Sequence, residues 1–437
     1  MSELEKGIAE YAADNTVRLH MPGHKGRKPG GILPEELYAY DVTELPFSDE
    51  LFEADGGIDV VEKELSRLFG SGATLMSPFG ATSCIQTMVS TVAAKGKIAL
   101  PRNMHYSAFN AIGLANAREV ILPVEKSEKT PAGILSPEVV EQAFKSDSDI
   151  ATLFITSVDY YGYIADISRY SSLCKKYCKL LIVDNSHGAH LEFLKGYDHP
   201  IKLGADVVCD SIHKTIPAMT GSALLHFADP SLAAEGKKRM KRICSSSPSY
   251  PIMLSISAAA KWLGNEGKDA YELLAKRVSG IKTKLKKFGY DILEGEPCRL
   301  YVCGGKTSLS GDDISEALRL KGCVAEFADE NGALLMFTPM NTERDLLRTE
   351  DALLSISQNN NLLPKSGYCD IIPQRAMSIS EAMAAACECL APEKCIGRIA
   401  AECIGRYPPG LPQIIIGEYI EYLPRGINMK NILVVVE

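Results

Sequence analysis

The chain has 437 residues, of which 46% are hydrophobic and 23% charged, a composition typical of globular proteins in water. This length exceeds that of one ordinary hydrophobic core, so we expect two or three subdomains. The formal net charge of −8 argues against a nucleic-acid partner, which would require a basic face.

Neither membrane insertion nor export is indicated. No uninterrupted apolar run reaches membrane-spanning length, and residues 1–6 do not resemble a signal peptide. We therefore expect a cytoplasmic protein without a membrane partner, with its thirteen cysteines reduced. The cysteines are scattered, and Cys387, Cys389, Cys395 and Cys403 show no metal-ligand spacing, so we predict no metal site.

Residues 1–60 are predicted to form an N-terminal arm and not a regular βα unit. After a short helix, residues 18–27 contain two glycines, a proline and several cationic or imidazole side chains, which favours a structured loop. His24 lies in this loop, and Glu44 follows in a second polar stretch. Two interpretations stay open: a polar arm that wraps the surface, or an arm that reaches an active site, including that of a partner subunit.

The stretch 61–245 is predicted to be a large α/β domain. Apolar residues at helical spacing predict a helix over 58–69, which Gly70 then ends. Beyond it, short apolar runs alternate with helical segments, which favours a mostly parallel sheet with helices on both faces. The candidate strands are 73–76, 97–100, 120–123, 152–156, 180–184 and 205–209. In such sheets ligands bind at the carboxyl ends of the strands, where the polar clusters of this chain fall.

Three of these polar clusters have the composition of ligand-binding segments. Ala81, Thr82 and Ser83 follow a glycine and precede an apolar helix, so they form either a phosphate-binding helix N-terminus or an ordinary helix cap. His105 is either a residue that stacks on an aromatic cofactor or a structural histidine. Residues 157–163, with three tyrosines around a glycine, can line a pocket.

The most informative pair is Asp184, at the end of one apolar run, and Lys214, shortly after the next. A lysine in a partly dry pocket has a lowered pKa and can form a Schiff base with an aldehyde. An aspartate at a strand end, about thirty residues earlier, can pair with the protonated pyridine nitrogen of pyridoxal 5'-phosphate (PLP). The pair therefore predicts a PLP site. The alternative is an ordinary strand-end aspartate and a surface lysine.

A domain boundary is predicted near residue 245, where serines and prolines interrupt the alternating pattern. Residues 246–437 are predicted to form a smaller C-terminal α/β domain with linking helices. Its predicted elements are strands over 299–302, 333–337 and 432–436, a helix over 314–320, and polar helix or loop over 341–370.

Taken together and in their order along the chain, the motifs resemble those of the bacterial Orn/Lys/Arg decarboxylases over nearly the whole chain. The matching segments are His-Met-Pro-Gly-His-Lys-Gly at 20–26, Asp-Val-Thr-Glu-Leu-Pro at 41–46, Gly-Ala-Thr-Ser at 80–83, Asp-x-x-His-Gly-Ala-His at 184–190, Ser-x-His-Lys-Thr at 211–215, Ser-Pro-Ser-Tyr at 247–250, and the tail at 407–418. The resemblance implies the aspartate-aminotransferase fold, which is PLP-dependent transferase fold type I. It also implies the compact form of the family, without the N-terminal regulatory domain of its larger members.

The resemblance further implies roles for individual residues. Lys214 would hold the aldehyde of the cofactor, Asp184 would keep the pyridine nitrogen protonated, and His187 would hydrogen-bond the phenolic oxygen. His105 would stack on the ring face. The phosphate would be bound by the first loop, by the lysine motif and by a serine that a partner subunit can supply: Ala81, Thr82, Ser83, Ser211, His213, and Ser246 or Ser247.

A dibasic substrate needs an acidic group for its far cation. The candidates are Glu44, Asp49, Asp159 and Glu418, each of which is otherwise a plain surface carboxylate, and His24 is a further candidate for substrate binding. Lys214 or a nearby histidine is expected to return the proton after CO2 leaves.

The chain also departs from the family pattern. Phe79 stands where the family usually has Asn, Asn185 where it has Glu, and Val158 and Asp159 where it has Pro-Thr. The stretch after Lys214 is one residue shorter than usual, without the usual Gln. These differences concern substrate contacts and the level of activity.

The expected function is the PLP-dependent decarboxylation of arginine, lysine or ornithine to a polyamine-type amine and CO2. A homodimer or higher homo-oligomer with shared active sites is expected. Because a fold does not fix a reaction, two alternatives stay open. One is another reaction on this fold, such as that of an aminotransferase, a lyase or an acyl-transferring synthase, and the other is a catalytically weak regulatory homologue.

Overall fold

The computed structural model describes residues 1–14, 16–304, 309–356, 372–424, 426–427 and 429–436. Part of the polar segment predicted over 341–370 lies outside these residues. In the described part of the chain, no helix is both long enough and apolar enough to cross a membrane.

Seven strands form a mostly parallel sheet, which confirms the predicted α/β class. They are β1 (Ala73–Ser77), β2 (Lys97–Pro101), β3 (Glu119–Leu122), β4 (Ile150–Thr156), β5 (Leu180–Asp184), β6 (Val207–Asp210) and β7 (Ala223–Phe227), in the spatial order β1-β7-β6-β5-β4-β2-β3. The pairs β2–β3, β2–β4 and β5–β6 are parallel, whereas β7 runs antiparallel to both β1 and β6. The first six strands match the predicted runs, and β7 was not among them.

The chain divides into two compact units. The first contains Met1–Thr91 and Ile182–Asp269, and the second contains Val92–Leu181 and Ala270–Glu437. The sequence-based division into 1–60, 61–245 and 246–437 stays a prediction.

The helices of the described residues follow the expected local signals. In chain order they are α1 (Glu3–Ala13), α2 (Glu35–Tyr40), α3 (Gly57–Phe69), α4 (Gly80–Val92), α5 (Tyr106–Leu114), α6 (Pro137–Ser146), α7 (Ile167–Lys176), α8 (Pro230–Ile243), α9 (Tyr250–Trp262), α10 (Lys268–Phe288), α11 (Gly311–Leu320), α12 (Glu343–Leu354) and α13 (Ile379–Ala384). Helix α3 confirms the helix predicted over 58–69: it buries Val61, Leu65 and Phe69 on one face, and Gly70 ends it in the left-handed conformation at φ 70°.

In the first unit, the arm consists of α1, α2 and irregular segments. Helix α1 begins with a capping box in which the Ser2 hydroxyl accepts from the Glu5 amide and the Glu5 carboxylate accepts from the Ser2 amide. Residues 16–34 form turns and irregular backbone, as predicted for the loop at 18–27. Strands β1, β5, β6 and β7 are almost wholly buried, so polar groups at their ends meet a largely dry core.

In the second unit, a smaller antiparallel sheet follows α10. Its strands are β8 (Asp291–Leu293), β9 (Arg299–Cys303), β10 (Phe327–Ala328) and β11 (Gly332–Met336), in the order β10-β11-β9-β8. A two-stranded sheet pairs β12 (Cys387–Leu390) with β13 (Ile432–Val435). Two residues of β13 pack with residues of the preceding segment in a core of fully buried aliphatic side chains: Ile404, Ile414, Ile420, Ile432 and Val434. The predicted C-terminal α/β segment is thus built around two small sheets.

Candidate active site

Lys214 meets His187 at the carboxyl end of the sheet in the first unit. The chain leaves β6 at Asp210, passes Ser211 and makes a single 3-10 turn over Ile212–Lys214. The Lys214 Nζ atom lies 3.0 Å from His187 Nε2, and both side chains are at least partly buried. Lys214 is therefore not a fully exposed lysine, and its role as the cofactor lysine stays a prediction.

Asp184 ends β5 beside this turn. Strands β5 and β6 are parallel, with Asp184 in register with Cys209, so their carboxyl ends lie side by side. Asp184 is only 4% exposed, and its Oδ1 accepts hydrogen bonds from the Ser186 amide at 3.0 Å and the Ser186 hydroxyl at 2.5 Å. Two donors on one oxygen fix the orientation of the carboxylate.

The loop predicted to bind phosphate lies against β6. Gly80 opens α4 with φ +82°, and a Cβ at this position would meet no atom within 4 Å. The Gly80 amide donates to the Gly221 carbonyl at 2.7 Å, and Cys209 Sγ donates to the Ala81 carbonyl at 3.6 Å. Ser83 is buried and bonds the Gly80 carbonyl at 2.7 Å, whereas Thr82 is exposed. The first turn of α4 therefore begins beside open space.

His213 joins the lysine turn to the start of β7. Its Nδ1 lies 3.0 Å from the Ser222 carbonyl, and burial lowers the pKa of the ring although this hydrogen bond opposes the change. The Gly221 carbonyl accepts from the Gly80 amide, and the Ser222 carbonyl accepts from His213. The segments at 80–83, 211–214 and 221–222 are therefore neighbours in the fold.

His105 belongs to the second unit, where it caps α5. Its Nδ1 lies 2.7 Å from the Ser107 hydroxyl and 3.3 Å from the Ser107 amide. The tail packs against the same ring: the Tyr106 amide donates to the Gly410 carbonyl at 2.9 Å, and a Cβ on Gly410 would lie 2.7 Å from His105 Nε2. The imidazole is thus held on one edge by Ser107 and on the other by Gly410.

A family model described as "Orn/Lys/Arg decarboxylase, major domain" matches residues 3–303. The chain belongs to this family. It is therefore an amino acid decarboxylase, as predicted.

Curated relatives cover nearly the whole decarboxylase. The arginine decarboxylase of Bacillus subtilis (strain 168) is 28% identical over 458 residues, which span 95% of this chain and 91% of the relative. The arginine decarboxylase of Halalkalibacterium halodurans is 28% identical over 449 residues, which span 95% of this chain and 90% of the relative.

Solved structures show the same fold at lower sequence identity. The lysine decarboxylase LdcF of Francisella novicida has a TM-score of 0.80 at 14% identity, and the match spans 97% of this chain and 75% of the LdcF chain. Lysine decarboxylase A of Pseudomonas aeruginosa has a TM-score of 0.80 at 17% identity, and the match spans 96% of this chain and 74% of the Pseudomonas enzyme. The predicted fold, PLP-dependent transferase fold type I, is thereby confirmed.

Two of the predicted substrate carboxylates of the decarboxylase have partners inside the second unit. Glu418 Oε1 lies 3.0 Å from Arg102 Nη1, and Glu418 Oε2 accepts from the Ile415 amide at 2.8 Å. Asp159 is half-buried, and desolvation of its carboxylate raises its pKa. It accepts hydrogen bonds from the Thr130 hydroxyl and the Tyr163 amide. The pairing of Arg102 with Glu418 was missed because no local pattern connects residues 316 apart.

The other predicted residues lie in exposed or half-buried parts of the first unit. His24 Nε2 lies 3.1 Å from Asp41 Oδ2, and Glu44 accepts from the Thr43 hydroxyl at 2.5 Å. Asp49 is occupied: its carboxylate accepts from the amides of residues 50, 55, 56 and 58. Ser247 is exposed just before α9. Glu44 borders a cavity of about 490 Å³ that other carboxylates also line, among them Glu10, Asp49 and Glu50.

Proposed function

We propose that this decarboxylase uses PLP to remove the carboxyl group of a basic amino acid (arginine, lysine or ornithine), releasing CO2 and a polyamine-type amine. The observation that carries the proposal is the contact of Lys214 Nζ with His187 Nε2 beside the buried Asp184 carboxylate. Such a group of titratable residues at the carboxyl ends of parallel strands is where this class of sheet binds its ligands.

The residues of the first unit fit PLP. The cofactor needs an amine for its aldehyde, a carboxylate for its ring nitrogen and N–H donors for its phosphate. Lys214 supplies the first and Asp184 the second, while the first turn of α4 offers backbone amides beside the open space at Gly80. When bound, the cofactor withdraws electrons from the α carbon of the substrate as CO2 leaves.

We assign the ring nitrogen to Asp184 Oδ2, since both bonds from Ser186 go to Oδ1. A charged carboxylate at this point keeps the ring nitrogen protonated. His187 would bond the phenolic oxygen and lies within reach of the Lys214 amine, so these two groups can pass a proton between them. Lys214 or a histidine would then return the proton to the α carbon, and His105 would stack on the ring.

The phosphate would be bound by Thr82, Ser83, Ser211 and His213, with Ser247 contributed from a partner subunit. The Nδ1–H of His213 donates to the Ser222 carbonyl. A second N–H is therefore available only on the protonated ring, which a bound dianion would stabilise.

For the far cation of the substrate we favour Glu44. Glu418 is neutralised by Arg102, and Asp159 is held by Thr130 and Tyr163, so we assign these two a positioning role. Glu44 lies with other carboxylates around the cavity of about 490 Å³, and His24 lies on the same arm. This arrangement supports the interpretation of an arm that reaches the active site of a partner, in a cytoplasmic homodimer or higher oligomer.

One substrate panel tests the proposal. Arginine, lysine and ornithine are each incubated with the PLP-loaded protein, and CO2, amine and keto acid are measured. CO2 with the matching amine is expected from one of the three. A keto acid would point to an aminotransferase, and no product from any of them would point to a regulatory homologue.

Lys214→Ala should abolish both turnover and the visible absorbance of the bound cofactor while the protein stays folded. Lys63→Ala is the matched control, since Lys63 is an exposed lysine of the same unit, and among the described residues its ion pair is with Asp59 on the same helix. Full activity in Lys214→Ala would end the assignment of this amine.

A further inference from the structure

A buried carboxylate lies directly behind the proposed cofactor site. Asp210, the last residue of β6, is fully buried. Its Oδ1 accepts from Asn185 Nδ2 at 2.7 Å, and its Oδ2 lies 3.0 Å from His199 Nε2 and 3.1 Å from His226 Nε2. All four side chains are completely removed from solvent, and we call them the Asp210 cluster: Asn185, His199, Asp210 and His226.

The Asp210 carboxylate accepts three hydrogen bonds, one from the Asn185 amide and two from imidazoles. His199 Nδ1 accepts from the Ile201 amide at 3.4 Å, so its Nε2 carries the proton that points to Asp210. Burial would raise the pKa of Asp210, but His199 and His226 together hold it well below its usual value. Burial lowers the pKa of His226. A carboxylate with three N–H donors can stay ionised in a dry core.

Three members of the cluster, His199, Asp210 and His226, also lie close enough together to be considered as metal ligands, since their ligand atoms fall within 4.8 Å of one another. The two imidazole Nε2 atoms, however, already bond the Asp210 carboxylate directly. The geometry is that of a closed hydrogen-bonded cluster.

The cluster joins the two chain segments that carry the proposed cofactor residues. Asn185 directly follows Asp184, and its amide donates to the Cys209 carbonyl at 2.8 Å. The Gly188 amide bonds the Asn185 carbonyl at 2.8 Å and closes a turn over 185–188. This turn contains Ser186, which orients the Asp184 carboxylate, and His187, which meets Lys214. On the other side, Asp210 directly precedes Ser211 and the lysine turn.

The cluster also accounts for a departure noted in the sequence. A glutamate in place of Asn185 would bring a second carboxylate against Asp210, and two buried carboxylates cannot both stay ionised at that distance. In this chain the amide of Asn185 directly follows β5, and the charge of Asp210 ends β6.

We propose that Asp210 is a positioning residue: through Asn185 it fixes the turn at 185–188, and thereby the Asp184 carboxylate and the His187 imidazole. This inference rests on the proposed PLP-dependent function. It assigns the role to a group that does not itself touch the cofactor.

The test moves the charge from position 210, at the end of β6, to position 185, just after β5. Asn185→Asp sets two carboxylates face to face and should weaken PLP binding by the apoprotein at least tenfold and alter the visible spectrum of the bound form. In the double variant Asn185→Asp/Asp210→Asn, the amide oxygen of the new side chain can accept from both histidines while its NH2 group donates to the new carboxylate. The double variant should therefore recover an affinity and a spectrum within about threefold of wild type.

Two further variants keep the outcome decisive. Asn185→Ala removes the connection without adding charge and should weaken PLP binding about fivefold even if Asn185→Asp fails to fold. Leu4→Ala, at a fully buried position in α1, controls for general loss of stability and should lower the melting temperature without changing the spectrum.

The inference is overturned if Asn185→Asp and Asn185→Ala bind PLP with wild-type affinity and spectrum, or if the double variant is no better than Asn185→Asp alone. Failure of the proposed function looks different, since the wild-type protein itself would then bind no PLP or release no CO2.

Discussion

Gly410 offers a sharp test of how the tail of the second unit controls His105. Its φ of +75° is in the left-handed region, and a Cβ there would lie 2.7 Å from His105 Nε2 and 2.8 Å from Cδ2. Real Cβ contacts are longer, so in Gly410→Ala the imidazole has to move. The ring cannot move without loosening its 2.7 Å contact with the Ser107 hydroxyl.

The size of the effect follows from two contributions. An alanine in the left-handed region costs about 1 kcal/mol relative to glycine. Relief of the overlap costs about 1–3 kcal/mol more, as for other overpacked sites or for a lost hydrogen bond. Gly397→Ala is the matched control, because Gly397 has a φ of +86° in the same unit but a Cβ there would meet no atom within 4 Å.

The assay compares both variants by denaturant unfolding and by PLP titration of the apoprotein. Gly397→Ala should lose only the unfolding free energy that corresponds to the strain of an alanine in the left-handed region, and it should keep its affinity for PLP. Gly410→Ala should lose about 1–3 kcal/mol more stability than the control and bind PLP at least tenfold more weakly if His105 stacks on the ring. Equal behaviour of the two variants in both measurements would refute the reasoning.

Two predictions concern buried charges. Arg102→Ala should lower the free energy of unfolding by about 3 kcal/mol, because it leaves the Glu418 carboxylate buried without its guanidinium. The control Arg118→Ala breaks an exposed pair with Asp149 and should cost less than about 1 kcal/mol. Equal losses of the two variants in urea unfolding would contradict this prediction. Burial raises the pKa of Glu62 from 4.5 to about 7, although Lys237 and the Met76 amide oppose the change. Because the folded state favours the protonated form of Glu62, the wild-type protein should lose up to about 3 kcal/mol of stability relative to Glu62→Gln as the pH rises from about 4.5 through about 7. A difference in unfolding free energy between the two proteins that is independent of pH would exclude this.

Local signals in the sequence were sufficient for most elements of the sheet and for the residues at its edge. Apolar periodicity and a terminal glycine predicted α3, and alternating apolar runs predicted β1 to β6. Asp184 and Lys214 could be paired in advance because both follow buried strands, and the carboxyl ends of neighbouring parallel strands meet. Strand β7 was missed because an apolar run carries no sign of antiparallel pairing with two distant strands.

The partners of the buried polar groups were decided by the tertiary structure. The sequence alone connects Arg102 with Glu418 no better than with any other carboxylate, and nothing local indicates that Asp210 gathers Asn185 and two histidines. Helical periodicity, caps and strand runs depend on residues near one another in the chain, so the sequence determines them. The partner of a buried charge depends on which distant segments the fold brings within about 3 Å, and this becomes visible only when the chain is folded.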